Sequence, residues 1–205
     1  MYDEYFFSEL IENCIKIFID DFTIYGNSFN QCLDHLTKVL KWCINTNLVL
    51  NYEKCHFIGQ YEIILGHVVS DRGIEVDKAK VHLITSLPYP TNVRDICSFL
   101  SQSGFYKRFI KYFSKFIQPL LRLLQKDVPF NFKEDCHLSF DKLKTLLTST
   151  PIIQPPNWDM PFEIMCDASN YVVRVVLGQQ NGKKSHVICY ASSTLNFAQC
   201  NYSTT

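Results

Sequence analysis

The sequence is short of glycine and proline, has no paired-cysteine motif and no long apolar run, and carries no net charge. Each shortage closes off a class of protein. Seven glycines and eight prolines among 205 residues exclude a collagen-like, low-complexity or linker-like chain. Nine cysteines stand at 14, 32, 43, 55, 97, 136, 166, 189 and 200, with no Cys-x-x-Cys pair among them. No zinc ribbon or thioredoxin-like motif fits that spacing, and no secretory leader is legible, so reduced and mostly buried thiols are expected. Cys55-His56 with His67 matches no common zinc pattern, and core or surface histidines are the simpler reading. No apolar stretch approaches the roughly 20 residues that a bilayer requires, so no membrane partner is expected.

The zero net charge hides an uneven distribution. Residues 1–36 hold seven acids and one base, Lys16, whereas residues 94–126 hold seven bases and one acid, Asp95. Two solvated faces would account for this, and so would two opposite local fields with different partners. What the chain has in quantity is apolar and aromatic: 47% hydrophobic residues, with 16 Phe and 11 Tyr. At this length that is enough to bury well over half of the chain's surface.

Residues 8–14 read as helical, and residues 14–19 form a strand-like run that Asp20-Asp21 interrupts and 22–25 resumes, which predicts a hairpin. Ser28 and Gln31 fit a capping box ahead of Leu33, Leu36, Leu40, Cys43 and Ile44, predicting an amphipathic helix over 29–46. Residues 48–50, 55–58 and 63–69 are β-rich, and Asp71-Arg72-Gly73 turns the chain into a short strand at 74–76. From Asp77 the pattern is helical until Pro88 and Pro90; Asn92 caps a helix to about Tyr106, and helices follow at 108–125 and 134–148. Residues 151–156 read as a linker, and strands are expected at 161–167, 171–180 and 185–191, with Asn181-Gly182 as the last hairpin turn. One mixed domain therefore ends near 150 and a second begins.

Two adjacent carboxylates between apolar strands are physically awkward, because a regular strand would aim them at opposite faces and burial of either is costly. An exposed Asp-Asp turn resolves this, and so does a divalent cation held by hard oxygen ligands. The surroundings bear on the choice. Ile-Phe-Ile-Asp-Asp-Phe-Thr-Ile-Tyr-Gly at 17–26 resembles the aromatic-x-Asp-Asp motif of reverse transcriptases, specifically those of gypsy-type long-terminal-repeat retrotransposons. The resemblance continues through Asn47-Leu48-Val49-Leu50-Asn51, Glu53-Lys54-Cys55-His56-Phe57 and the primer-grip-like Ile64-Leu65-Gly66-His67. It extends over Arg72 to Lys80, Ser98-Phe99-Leu100, Gly104 to Ile110, and Phe162-Glu163 with Cys166-Asp167-Ala168-Ser169. Several ordered motifs in register make a specific signal where one would be weak.

The resemblance implies an α+β fold: a partial reverse-transcriptase palm and helical thumb, followed by a truncated ribonuclease H-like mixed sheet. It assigns 1–76 to a partial palm with the primer-grip hairpin, 77–150 to thumb and connection helices, and 151–205 to the N-terminal part of a ribonuclease H-like domain. The implied activity is metal-dependent nucleotidyl transfer by an RNA-directed DNA polymerase with ribonuclease H. Asp20, Asp21 and Asp167 would be catalytic ligands of Mg²⁺ or Mn²⁺, and Gly66, His67, Lys107, Arg108 and Lys111 would contact nucleic acid. The implied partners are an RNA/DNA primer–template hybrid, deoxynucleotides and the rest of a Pol polyprotein, in cytoplasmic particles and later the nucleus. Phe105, Tyr106, Phe109, Tyr112, Phe113 and Phe116 read as core rather than as base-stacking platforms.

Departures from the family pattern are equally specific. The resemblance puts a third polymerase carboxylate on a strand before the hairpin, and the next ribonuclease H carboxylate beyond Thr205, so the sequence reads as a fragment. Arg174 and Val175 stand where small residues are usual, which is expected to disturb strand packing, and Ser101 stands where Gly is usual after Leu100. The alternative reading is a non-catalytic nucleic-acid-binding or decayed remnant.

Overall fold

The computed structural model describes residues 13–18, 21–57, 61–169, 171–182 and 184–201. The helix expected at 8–14 falls almost wholly outside them. The chain divides into two compact units, residues 1–57 and 58–205.

In the first unit β1 (Ile15–Phe18) pairs antiparallel with β2 (Asp21–Ile24), with Phe18 opposite Asp21 at the closing end. The amphipathic helix α1 (Phe29–Asn45) follows, and the Ser28 hydroxyl accepts from the Gln31 amide. The Gln31 side chain accepts from the Asn27 amide instead of the Ser28 amide, so the box closes one residue early. The stripe that α1 buries is His35, Val39 and Cys43, against Cys14 and Ile15 of the hairpin. Of the apolar face expected on this helix, Cys43 is buried and Leu36 half-buried, whereas Leu33, Leu40 and Ile44 remain exposed. The strands expected at 48–50 and 55–58 do not form among the described residues: a 3₁₀ turn at Tyr52–Lys54 stands between them.

The second unit opens with three short antiparallel strands, β3 (Tyr61–Ile64), β4 (His67–Ser70) and β5 (Gly73–Val76), in that order. The β-rich run 63–69 is a hairpin turning at Leu65 and Gly66, which both adopt positive φ (49° and 72°). Helices α2 (Lys78–Ser86), α3 (Val93–Phe105), α4 (Phe113–Arg122) and α5 (Glu134–Thr148) surround a core built on Phe99, Tyr106, Phe109, Phe140 and Leu143. Asp77 and Asn92 cap α2 and α3 through the amides of Ala79 and Asp95. The helix expected at 108–125 is interrupted: Lys107–Phe109 is a 3₁₀ turn, and Tyr112 sits at φ 65° before α4 begins. Of the aromatics expected in the core here, Tyr106, Phe109 and Phe113 are buried, but Phe105 is exposed.

Residues 151–156 are not a free linker. Ile153 is 2% exposed and bridges Ile74, its carbonyl accepting from the Ile74 amide at 2.8 Å and its amide donating back at 3.1 Å. Beyond it lies the second three-stranded sheet, with β6 (Glu163–Ala168), β7 (Val172–Asn181) and β8 (Lys184–Thr194) antiparallel in sequence order. The register shifts between Leu177 and Gly178, which leaves Ile188 as the extra residue of a bulge on β8. The short α6 (Phe197–Cys200) closes the described chain with a capping box from Asn196 to Gln199. Three of the nine cysteines, Cys14, Cys43 and Cys136, are buried, fewer than expected, while Cys97 and Cys166 are exposed. All nine are unbridged, and burial pushes the thiols of Cys43 and Cys136 up.

Candidate metal carboxylates and nucleic-acid interface

The β1–β2 hairpin brings Asp21 to its closing end, where the carboxylate is exposed. Asp20 lies outside the described residues. Two ion pairs exist among the described residues, and Asp21 belongs to neither. Among the described residues its carboxylate thus pairs with no Lys or Arg, and its hard oxygens are exposed.

The β3–β4 turn is held from beneath. The Tyr106 hydroxyl donates to the Gly66 carbonyl at 2.9 Å across a buried contact. His67 sits among three rings, with centroids 4.9 Å from Phe105 and 5.7 Å from both Tyr106 and Phe109. Its Nδ1 lies 3.0 Å from the Leu65 carbonyl, which can only accept, so Nδ1 carries the proton. Burial lowers the imidazole's pKa, the Leu65 carbonyl opposes this, and the cations of Arg108 and Lys80 add to the lowering. At neutral pH the ring is uncharged and its Nε2, buried without a protein partner, is an acceptor. His67 is thus packed against three rings beside the turn as an uncharged imidazole.

Positive charge comes from its neighbours. Lys80 of α2 lies over the Phe105 ring at 5.7 Å, and its amine occupies the space that a side chain at Gly66 would need. Lys107 and Arg108 are exposed on the 3₁₀ turn, and Lys111 is exposed just after it, 4.9 Å from the Tyr112 ring centroid. Helical spacing does not put these three residues on one α-helix face, because the helix is broken there. Nothing in the sequence marks Lys80 as a neighbour of the turn; it falls three residues past Asp77, and only the fold brings it there.

Asp167 has a different environment. In the β6–β7 register it stands directly opposite Arg174, and Arg174 stands opposite Ser192 of β8. Directly paired residues share a sheet face. The Arg174 guanidinium meets the Asp167 carboxylate at 2.7 Å and lies 5.0 Å from the centroid of the Tyr112 ring. Ser114, two residues past Tyr112, exchanges hydrogen bonds with Ser192: amide to hydroxyl at 2.9 Å, and hydroxyl to carbonyl at 2.6 Å. Arg174, expected to disturb the strand, makes this ion pair and ring contact, while its Nε is buried without a hydrogen-bond partner among the described residues. The pairing follows from the turn: a hairpin closing at Ala168 opposite Val173 forces 167 against 174. Among the described residues no three His, Cys, Asp or Glu side chains gather as a metal site.

This architecture has known counterparts. The chain superimposes on a foamy viral protease-reverse transcriptase in complex with double-stranded DNA with a TM-score of 0.85, at 16% identity, covering 98% of this chain and 35% of that one. The same enzyme in complex with RNA/DNA hybrid gives 0.86 at 17% identity, covering 98% of this chain and 27% of the other. The family model for reverse transcriptase (RNA-dependent DNA polymerase) matches residues 2–101, and that for the RNase H-like domain found in reverse transcriptase matches residues 132–205. Fold and motifs together define part of a domain of the reverse transcriptase family running into a ribonuclease H-like domain.

Two curated relatives from Drosophila melanogaster narrow this further. The retrovirus-related Pol polyprotein from transposon opus is 32% identical over 96% of this chain and 21% of its own length; that from transposon gypsy is 29% identical over 96% and 20%. The chain belongs to the retrotransposon Pol polyprotein family, and it spans about a fifth of the length of these relatives.

Both families are metal-dependent, generally on Mg²⁺. Asp21 fits such an ion: exposed, oxygen-only and, among the described residues, without a paired cation. Asp167 does not fit one, because a guanidinium already holds its Oδ2.

Proposed function

We propose that this chain supplies the later palm, the thumb and connection, and the start of the ribonuclease H-like domain of an RNA-directed DNA polymerase acting on a primer–template hybrid. In this reading residues 1–76 are palm with the primer-grip hairpin, 77–150 thumb and connection, and 151–205 ribonuclease H-like. Asp20 and Asp21 would hold a divalent ion, Mg²⁺ or Mn²⁺. When bound, such an ion aligns and stabilises the attacking and leaving oxygens of phosphoryl transfer. The rest of the work falls to the chain's own side chains. Gly66, fixed by the Tyr106 hydroxyl and flanked by neutral His67, gives a rigid turn against which a strand's backbone can rest. Lys80, Lys107, Arg108 and Lys111 neutralise phosphates, which positions nucleic acid without reading sequence.

The observation that carries this reading is that Lys80 and Arg108 flank the Gly66-His67 turn, with Lys107 and Lys111 exposed on the same connection. The test is fluorescence anisotropy of a labelled RNA/DNA hybrid across a salt series. Affinity should fall log-linearly with salt, and Lys80→Ala with Arg108→Ala should flatten the slope by about 0.9 for each phosphate no longer neutralised. An unchanged slope in that double variant would remove these residues from the interface. Primer extension on an RNA template with Mg²⁺ or Mn²⁺ addresses the chemistry: any incorporation by the chain must vanish in Asp20→Asn/Asp21→Asn, or the carboxylates are misassigned.

A further inference from the structure

We infer that Arg174 takes the place of the divalent cation at Asp167, so that the ribonuclease H-like side of this chain carries a fixed guanidinium where its family carries a metal. Four observations converge. The Asp167–Arg174 pair is enforced by register, since the two residues face each other directly across the β6–β7 hairpin. The contact is short, 2.7 Å from the guanidinium to Oδ2, in the range of a charge-assisted hydrogen bond. The guanidinium is also held from its other side by the Tyr112 ring at 5.0 Å. The segment that carries the ring is tied to the sheet, because Ser114, two residues on, hydrogen-bonds Ser192, the residue paired with Arg174 across β7–β8. Arg174 is thus built into the sheet along an Asp167–Arg174–Ser192 row, 29% exposed while its partner is 65% exposed.

A cation delivered by the chain competes with one from solution. A divalent ion binding Asp167 must either displace the guanidinium from the carboxylate or approach it against a full positive charge. An Arg side chain cannot give up that charge at any physiological pH. Metal affinity at this position is therefore suppressed independently of whatever the first unit binds.

The test reads metal occupancy site by site rather than activity. The full chain, isotopically labelled, is titrated with Mn²⁺, and paramagnetic broadening of amide signals is followed separately at Asp21 and at Cys166, Asp167 and Ala168. The parent chain should broaden at Asp21 well before the Asp167 strand. Arg174→Gln, which keeps a stem over Tyr112 but removes the charge, should broaden at 166–168 at least fivefold earlier in Mn²⁺, and Arg174→Lys should stay close to the parent. Adding Asp167→Asn to Arg174→Gln should abolish the gained broadening. Equal broadening at 166–168 in the parent and Arg174→Gln overturns the inference, as does gained broadening that survives Asp167→Asn. If Arg174→Gln loses its dispersed spectrum, the parent titration decides alone: broadening at 166–168 as early as at Asp21 sinks the proposal, and its absence there sustains it. The titration involves no nucleic acid, so its result stands apart from the fate of the proposed interface.

Discussion

At the scale of single residues, two glycines with positive φ show how the surroundings set the penalty for a side chain. Gly66 (φ 72°) is crowded chiefly by the Lys80 amine, the far end of a flexible side chain that can swing away. At Gly73 (φ 131°) a Cβ would strike the Ile153 carbonyl, backbone that is itself hydrogen-bonded and cannot move without breaking the Ile74 bridge. Gly73→Ala should destabilise by about 1–3 kcal/mol from strain alone, and Gly66→Ala by less, measured by denaturant unfolding. His67 adds a pH dependence. Its folded-state pKa is depressed, chiefly by burial, so below the unfolded value of about 6.5 the unfolded chain takes up a proton that the folded chain refuses. Stability conferred by neutral His67 is complete above that pH and declines as pH falls below it; His67→Phe should flatten the melting temperature between pH 5 and 6.5. The Gly66-His67 pair is legible in the sequence because it sits in a family motif. Lys80 and Tyr112 are not, since their roles arise where segments distant in the chain meet in the fold.

At the scale of elements, capping residues announce helix starts accurately and apolar composition is a poorer guide. Asn92 begins α3 as expected, and the Asp95 carboxylate accepts from the Thr91 amide and hydroxyl and from the Asn92 side chain, which holds its pKa below the usual range. Asn92→Ala should lower stability by about 1 kcal/mol, seen as a melting point roughly 2–4 °C lower. Thr91→Ala should be milder, because the Thr91 amide still donates to Asp95. Residues 48–50 and 55–58 have the β-branched and aromatic content of strands, but propensity of that kind needs a neighbouring strand to act on, and β1–β2 offers none to them among the described residues. The break at 107–112 is hidden for a related reason. Its apolar spacing is helical, and what overrides it is tertiary: Tyr106 and Phe109 turn inward together to fill the core beneath His67.

At the scale of the whole molecule, the order of elements follows from sequence, whereas surface character does not. Ile164 and Met165 are exposed on β6, which pairs only with β7 among the described residues, and Ile44 and Val49 are exposed in the first unit. An open strand edge beside apolar side chains invites pairing between copies. Sedimentation velocity should show mass rising with concentration, and Ile164→Lys should suppress that rise without lowering the melting point. The bridge between β5 and the segment after α5 has a kinetic consequence as well. Gln154 reaches the Arg72 carbonyl at a sequence separation of 82 residues, next to the paired Ile74 and Ile153, so this seam closes a long loop around four helices. Closing such a loop forfeits chain entropy before any pairing repays it. The helices, built from neighbours in sequence, can form first and the bridge last. Mutations at Ile153 should then accelerate unfolding while leaving the refolding rate nearly unchanged, making this seam the gate through which the second unit opens.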